Sequence, residues 1–253
     1  MHGIQNEPPD ERVYVTWSLK DLLLIFLGIL LIFGIFTVAT GLIFRMRDVN
    51  PEELLNPSIE QSLGLAAIES AALIGSVYLF GVRRKGLTWS SIGFLSVSRG
   101  WILAALIATA VAIPLSSLIT IIVLMISGMP LENPQLDFLL PGDITDPQAL
   151  GMILLAGIIA PIAEEIVFRG VIYRFIRDRW GILAGVLLSS FIFALVHADL
   201  AVGTTALLLG LILAVFYEYS RSIWTAILIH AVNNSARLAL LYVVVKSGLI
   251  QGL

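Results

Sequence analysis

Long apolar runs separated by short charged segments set the pattern of this chain. The runs cover about 22–44, 63–82, 101–126, 149–172, 182–196, 202–216 and 223–245. A helix needs about 20 apolar residues to cross a bilayer. Five runs meet that length; the fifth and sixth fall short and are expected to tilt or to pack inside a bundle. The pattern predicts an all-α, polytopic transmembrane helical bundle of about seven spans, with six to eight as the range. Pro114, inside the third run, is expected to kink it.

The boundaries divide the chain into three parts. Residues 1–18 form a polar N-terminal tail with Pro8 and Pro9, whose stretch 13–17 suits the membrane interface. Residues 19–148 hold the first three spans and their loops, and residues 149–253 hold a C-terminal core. Segment 83–85 with Arg99, and segment 174–179, are basic, whereas the polar loop 128–148 carries no Lys or Arg. The positive-inside rule then places the N-terminus in the cytoplasm and the C-terminus outside. Arg45 and Arg47 fall on the opposite side from that rule.

Composition agrees. Of 253 residues, 58% are hydrophobic and 13% charged, against about 25% charged in soluble domains. The net charge of -3 argues against nucleic acid as a partner, and the lack of cysteine removes disulfides, thiolate nucleophiles and thiolate metal ligands. Residues 1–11 are polar and acidic and the first apolar run is too long for a signal peptide, so it reads as a span that stays.

Against this background the chemistry stands out. Glu164, Glu165 and Arg169 sit inside the fourth run, which is otherwise apolar from Ala149 to Phe168. Ionisable groups at membrane depth are costly and are functional candidates. Glu165 and Arg169, four apart, share a helix face and can pair, while Glu164 is rotated by about one hundred degrees and free for another task. Phe193 and His197 are four apart at the end of the fifth run, and His230 and Asn234 are four apart in the seventh. Counting from Arg179 at ~1.5 Å per residue, Glu164 lies ~22 Å in and His197 ~27 Å. Counting from Arg221, His230 lies ~14 Å in and Asn234 ~20 Å. The four groups can therefore meet in one catalytic chamber between the spans that carry Glu164, His197 and His230.

Two chemistries suit that set. Glu164 can take a proton from a water held by His197, with His230 and Asn234 donating to the oxyanion of a tetrahedral intermediate. Alternatively, Glu164, His197 and His230 can ligate a zinc ion that activates the water. The residues alone leave both open.

The ordered set Glu164-Glu165-x-x-x-Arg169, Phe193-x-x-x-His197 and His230-x-x-x-Asn234 resembles the three-motif signature of the CPBP family. That family comprises type II CAAX prenyl endopeptidases and bacteriocin-processing or Abi intramembrane proteases. The run from Gly210 to His230 also resembles the family's approach to its third motif, and the resemblance covers about 149–236. It implies an intramembrane endopeptidase acting on a peptide or protein, lipidated or not, within membrane lipid. It implies Glu164 as general base with His197, Glu165 and Arg169 as a supporting pair, with Phe193 in the second motif, and His230 and Asn234 as the oxyanion site. No cofactor is favoured, because a three-ligand zinc site leaves Asn234 without a role, but zinc stays in view. Asn233 is a substitute for Asn234. Other classes compete: a proton-coupled transporter, or a catalytically idle scaffold or immunity protein. His-Glu-x-x-His, Gly-x-Ser and Gly-x-Gly-Asp signatures are missing from the chain.

Other polar residues carry plainer expectations. His2 reads as a solvated tail residue. Glu69 reads as an interfacial or paired residue rather than a substrate contact. Asp199 is a turn residue or an orienting partner for His197. Glu218 and Arg221 are expected to face the cytoplasm. Tyr173, Trp180 and Trp224 read as interface aromatics, and Gly181, Gly185, Ser189 and Ser190 as close-packing positions between spans four and five.

Overall fold

The computed structural model describes residues 15–46, 58–129 and 144–247, and every regular element in it is helical. The elements are α1 (Leu19–Met46), α2 (Ile59–Ser76), α3 (Arg99–Ser127), α4 (Asp146–Leu154), α5 (Ala160–Val167), α6 (Arg174–Leu195), α7 (Leu200–Ser220) and α8 (Ile223–Lys246). Wider π-helical turns extend α2 through Val77–Arg83, join α4 to α5 through Leu155–Ile159, and join α5 to α6 through Phe168–Tyr173. His2, Arg47, the prolines of the tail and most of the loop 128–148 lie outside the described residues.

Six of the described helical stretches are long and apolar enough to cross a membrane. One of them, Asp146–Leu195, is 50 residues long and is interrupted at Gly181, whose φ of 84° and ψ of 175° leave the helical region. That backbone conformation is open almost only to glycine. The chain folds back there. The Phe168 and Phe193 ring centroids are 4.8 Å apart, whereas 25 residues of straight helix would separate them by about 37 Å. A Cβ on Gly185 would lie 2.9 Å from Arg177 Cβ and 3.0 Å from Tyr173, so the missing side chain is what lets the two arms close. The hairpin separates the fourth and fifth apolar runs read from the sequence, and makes seven apolar segments among the described residues.

The sixth run is longer than its apolar stretch suggests. α7 runs on through Tyr217 to Ser220, because Tyr173 and Arg177 bind Glu218 at 2.8 and 2.9 Å and bury the polar end. Tyr173 is therefore a core residue, edge-on to Tyr217 at 5.6 Å, not an interface aromatic. Trp180 and Trp224 are exposed. The short arm 182–195 is not enclosed: Leu183, Leu187, Phe191 and Leu195 face outward.

The end of the N-terminal tail is also tied down. Trp17 is fully buried, its indole N–H donates to the Gly170 carbonyl at 2.7 Å, and Arg179 donates to the Trp17 carbonyl at 2.9 Å. Ser18 and Asp21 cap α1 reciprocally, and the Asp21 carboxylate binds Arg84 and, at 2.9 Å, Lys85. These contacts seat the start of α1 on the end of α2 and on the turn that follows α5.

The connector 86–99 also belongs to the core. Ile92 is fully buried, Tyr217 donates to its carbonyl at 3.1 Å, and the Ile223 amide donates to the Gly93 carbonyl at 2.8 Å. Gly93 has φ of 105°, and a Cβ there would lie 2.8 Å from Tyr217. α3 continues as one helix through Pro114 to Gly128, whose φ of 65° ends it.

Candidate active site

The carboxylates sit on α5, a two-turn α-helix bracketed by π-helical turns on both sides. π-turns leave some carbonyls without their usual intrahelical partner and recur at functional sites. α8 serves these carbonyls: Asn234 Nδ2 lies 3.4 Å from the Ala156 carbonyl, and Ser235 Oγ donates to Gly157 at 3.2 Å. A Cβ on Gly157 would lie 2.6 Å from Ser235 Oγ, so this glycine lets α8 approach α5.

The face of α5 turned into the protein carries a closed ionic cluster. Glu165 and Arg169 are both fully buried. Arg169 NH1 lies 3.1 Å from Glu165 Oε1 and Nε lies 3.1 Å from Oε2, and the second terminal nitrogen donates to the Gly210 carbonyl at 3.0 Å. The Phe193 ring lies under the guanidinium, 5.0 Å from centroid to Cζ. A buried charge pair holds only where its partners are matched; here Arg169 NH1 donates to Glu165 Oε1, while Arg169 Nε and Glu165 Oε2 face each other as an ion pair without a hydrogen bond. The i,i+4 pair expected from the sequence is present.

His230 connects this cluster to Glu164. Its Nδ1 is 2.8 Å from Glu165 Oε1, and its Nε2 is 3.6 Å from Glu164 Oε2. A carboxylate engaged by Arg169 is an acceptor only, so Nδ1 carries the proton and donates. Nε2 of His230 then faces Glu164 with a lone pair in the neutral ring, and with a proton in the imidazolium. His197 is set by the same logic. Its Nδ1 meets the Phe193 carbonyl at 2.7 Å and must donate, leaving Nε2 as an acceptor. Phe193 packs edge-on to both histidines, at 4.9 and 5.6 Å between centroids.

Glu164, His197, His230 and Asn234 all line one cavity of about 290 Å³, together with Glu69 and Arg237. The Glu164 side chain keeps 22% of its surface exposed there, whereas Glu165 keeps none. Asn233 Nδ2 donates to Asn234 Oδ1 at 3.0 Å, which makes the Asn234 NH₂ the donating end; one of its two N–H groups is directed at the Ala156 carbonyl and the second remains to donate. The four residues proposed from the sequence are thus brought to one cavity.

Three further residues bear on the site, and only Glu69 differs from its sequence reading. Glu69 faces the cavity rather than a partner helix. Asp199 caps α7 through Val202 N at 2.9 Å, which is the turn role. Arg237 was not singled out at all, yet it lies among apolar residues three positions beyond Asn234; its charge within an apolar run was the available signal. Among the described residues no three His, Asp or Glu side chains are gathered as metal ligands. With His230 Nδ1 committed to Glu165 and His197 Nδ1 to the Phe193 carbonyl, each ring turns Nε2 to the cavity, an arrangement that fits a metal ligand as well as a group that orients water.

Comparison with known proteins bears on this segment. Residues 146–236 match the family described as "Type II CAAX prenyl endopeptidase Rce1-like". The chain is also 34% identical over 84 residues to a Bacillus subtilis (strain 168) protein named "Putative membrane peptidase YdiL". That match covers 33% of this chain and 34% of the relative, so the chain matches about a third of the relative's length. No solved structure matches the chain. The matched segment 146–236 supplies most of the residues that line the cavity.

Proposed function

We propose that the protein is an intramembrane endopeptidase that hydrolyses a peptide bond with Glu164 as general base. The observation that carries this reading is the orientation of Glu164. Its carboxylate opens to the cavity and faces His230 Nε2 at 3.6 Å, while its neighbour Glu165 is sealed behind it.

The steps follow from the donor and acceptor assignments. His197 Nε2 accepts a hydrogen bond from the attacking water and orients it. Glu164 takes the water proton as the oxygen adds to the peptide carbonyl carbon. The developing oxyanion is met by the Asn234 NH₂ and by protonated His230, whose charge is supported by Glu165 behind it. The C–N bond then breaks, Glu164 returns the proton to the leaving amine, and a carboxylic acid and an amine result. Every proton in this cycle is carried by a residue of the chain, and no step runs through a metal.

The substrate is a peptide or protein segment that reaches the cavity within the membrane. The test is cleavage of a fluorogenic peptide library by the protein in liposomes, run beside Glu164→Gln. The reading requires cleavage by the native chain and its loss in the variant at unchanged thermal stability. Equal cleavage by both would overturn it.

A further inference from the structure

Arg237 lies in the cavity wall and has no acidic partner among the described residues. Its guanidinium is held only by neutral acceptors: Asn233 Oδ1 at 3.3 Å, Ser117 Oγ at 3.3 Å, Ser116 Oγ at 2.8 Å and the Ile113 carbonyl at 3.2 Å. Three of the four are at the long end for a hydrogen bond. They aim the side chain without neutralising it. The contrast is Arg169, one helix away, whose charge is fully matched by Glu165. An unmatched cation in a low-dielectric wall is costly unless an anion arrives, and a guanidinium favours a carboxylate that it can grip with two N–H groups.

The position of this cation relative to the reacting groups is fixed by α8. Arg237 follows His230 by seven residues, almost two full turns, so the two share a face about 10 Å apart along the axis. An extended peptide covers that distance in about three residues. From this we infer that Arg237 is a binding site for a substrate carboxylate, set about three residues from the bond that is cut. The inference rests on the peptidase reading and adds to it a recognition element and a register. A carboxylate has two sources, the peptide's own C-terminus or an acidic side chain.

The test separates this claim from the peptidase reading by scoring binding without turnover. Octapeptide pools of apolar sequence are made with a free C-terminal carboxylate, with a C-terminal amide, and as amides carrying one Glu at each position. Their binding to the full-length Glu164→Gln protein in detergent is titrated by thermal unfolding, and their cleavage by the native protein is mapped by mass spectrometry. The expected result is about tenfold or tighter binding of carboxylate over amide pools, with the gap closed in Glu164→Gln/Arg237→Gln. Arg237→Lys, which keeps the charge but not the two-pronged grip, keeps part of the gap and guards against a folding defect in the Gln variant. Preference for the free C-terminus, or for Glu at one position, identifies the source. Equal binding of acid and amide pools overturns the anchor. Acid-selective binding without any cleavage by the native protein overturns the peptidase reading and retains the anchor.

Discussion

His230 Nδ1 lies 2.8 Å from Glu165 Oε1, and that one contact determines what the other side of the imidazole can do. With Glu165 held as an acceptor by Arg169, the ring proton sits on Nδ1, and Nε2 alone faces Glu164 and the cavity. The two adjacent glutamates therefore differ in kind. One orients a histidine from behind, and the other is open to react.

Glu164→Gln and Glu165→Gln are expected to separate stability from activity. Glu164→Gln removes a carboxylate that faces the cavity, so cleavage is lost while the unfolding midpoint changes little. Glu165→Gln leaves Arg169 buried with its charge uncompensated, which costs about 3–5 kcal/mol. It should lower the unfolding midpoint sharply and remove activity with it. Circular dichroism melts and peptide cleavage in the same detergent distinguish the two.

His197 is half-exposed in the cavity and bonded only to a backbone carbonyl of its own helix. His197→Ala should leave the fold intact and reduce kcat by about 10²–10⁴-fold, the usual worth of a positioned proton-handling group. A loss confined to KM would contradict the water-orienting role.

Gly181 makes the turn that brings Phe193 and His197 back toward Glu164. Gly181→Ala places a Cβ in a backbone region that is essentially glycine's, at a cost of about 1–3 kcal/mol. The expected outcome is a lower midpoint and faster proteolysis within the 174–182 turn. Gly64→Ala, at a position where an added Cβ meets nothing within 4 Å, is the control.

Trp17 packs without exposure and bonds to Gly170, directly after Arg169. Trp17→Ala should destabilise the protein by about 3–5 kcal/mol, measured by thermal unfolding. A neutral result would show that the start of α1 is not part of the cooperative core.

The spans were legible because each apolar stretch is bounded by charge, and hydropathy alone marks such boundaries. The glutamate, histidine and asparagine positions were legible because polar groups are rare inside apolar runs and fall at helical spacing. Hydropathy could not show that Tyr173 is buried: an aromatic next to arginines looks the same at an interface and in a packed turn, and only Glu218, 45 residues on, decides it. Trp17 was read as interfacial because its partners, the Gly170 carbonyl and Arg179, are more than 150 residues away. The π-turns around α5 leave no composition signal; the first lies where α8 packs Ser235 against Gly157. Arg237 was visible as a charge within a span, but its lack of an acidic partner is a three-dimensional fact.

The most direct measurement of the central claim is peptide cleavage by purified protein after exhaustive chelation, with metal content determined on the same sample and Glu164→Gln beside it. The account predicts cleavage that persists without bound metal and disappears in Glu164→Gln. Cleavage that is lost on chelation and restored by zinc, with about one zinc per active chain, would contradict Glu164 as the sole activator of water.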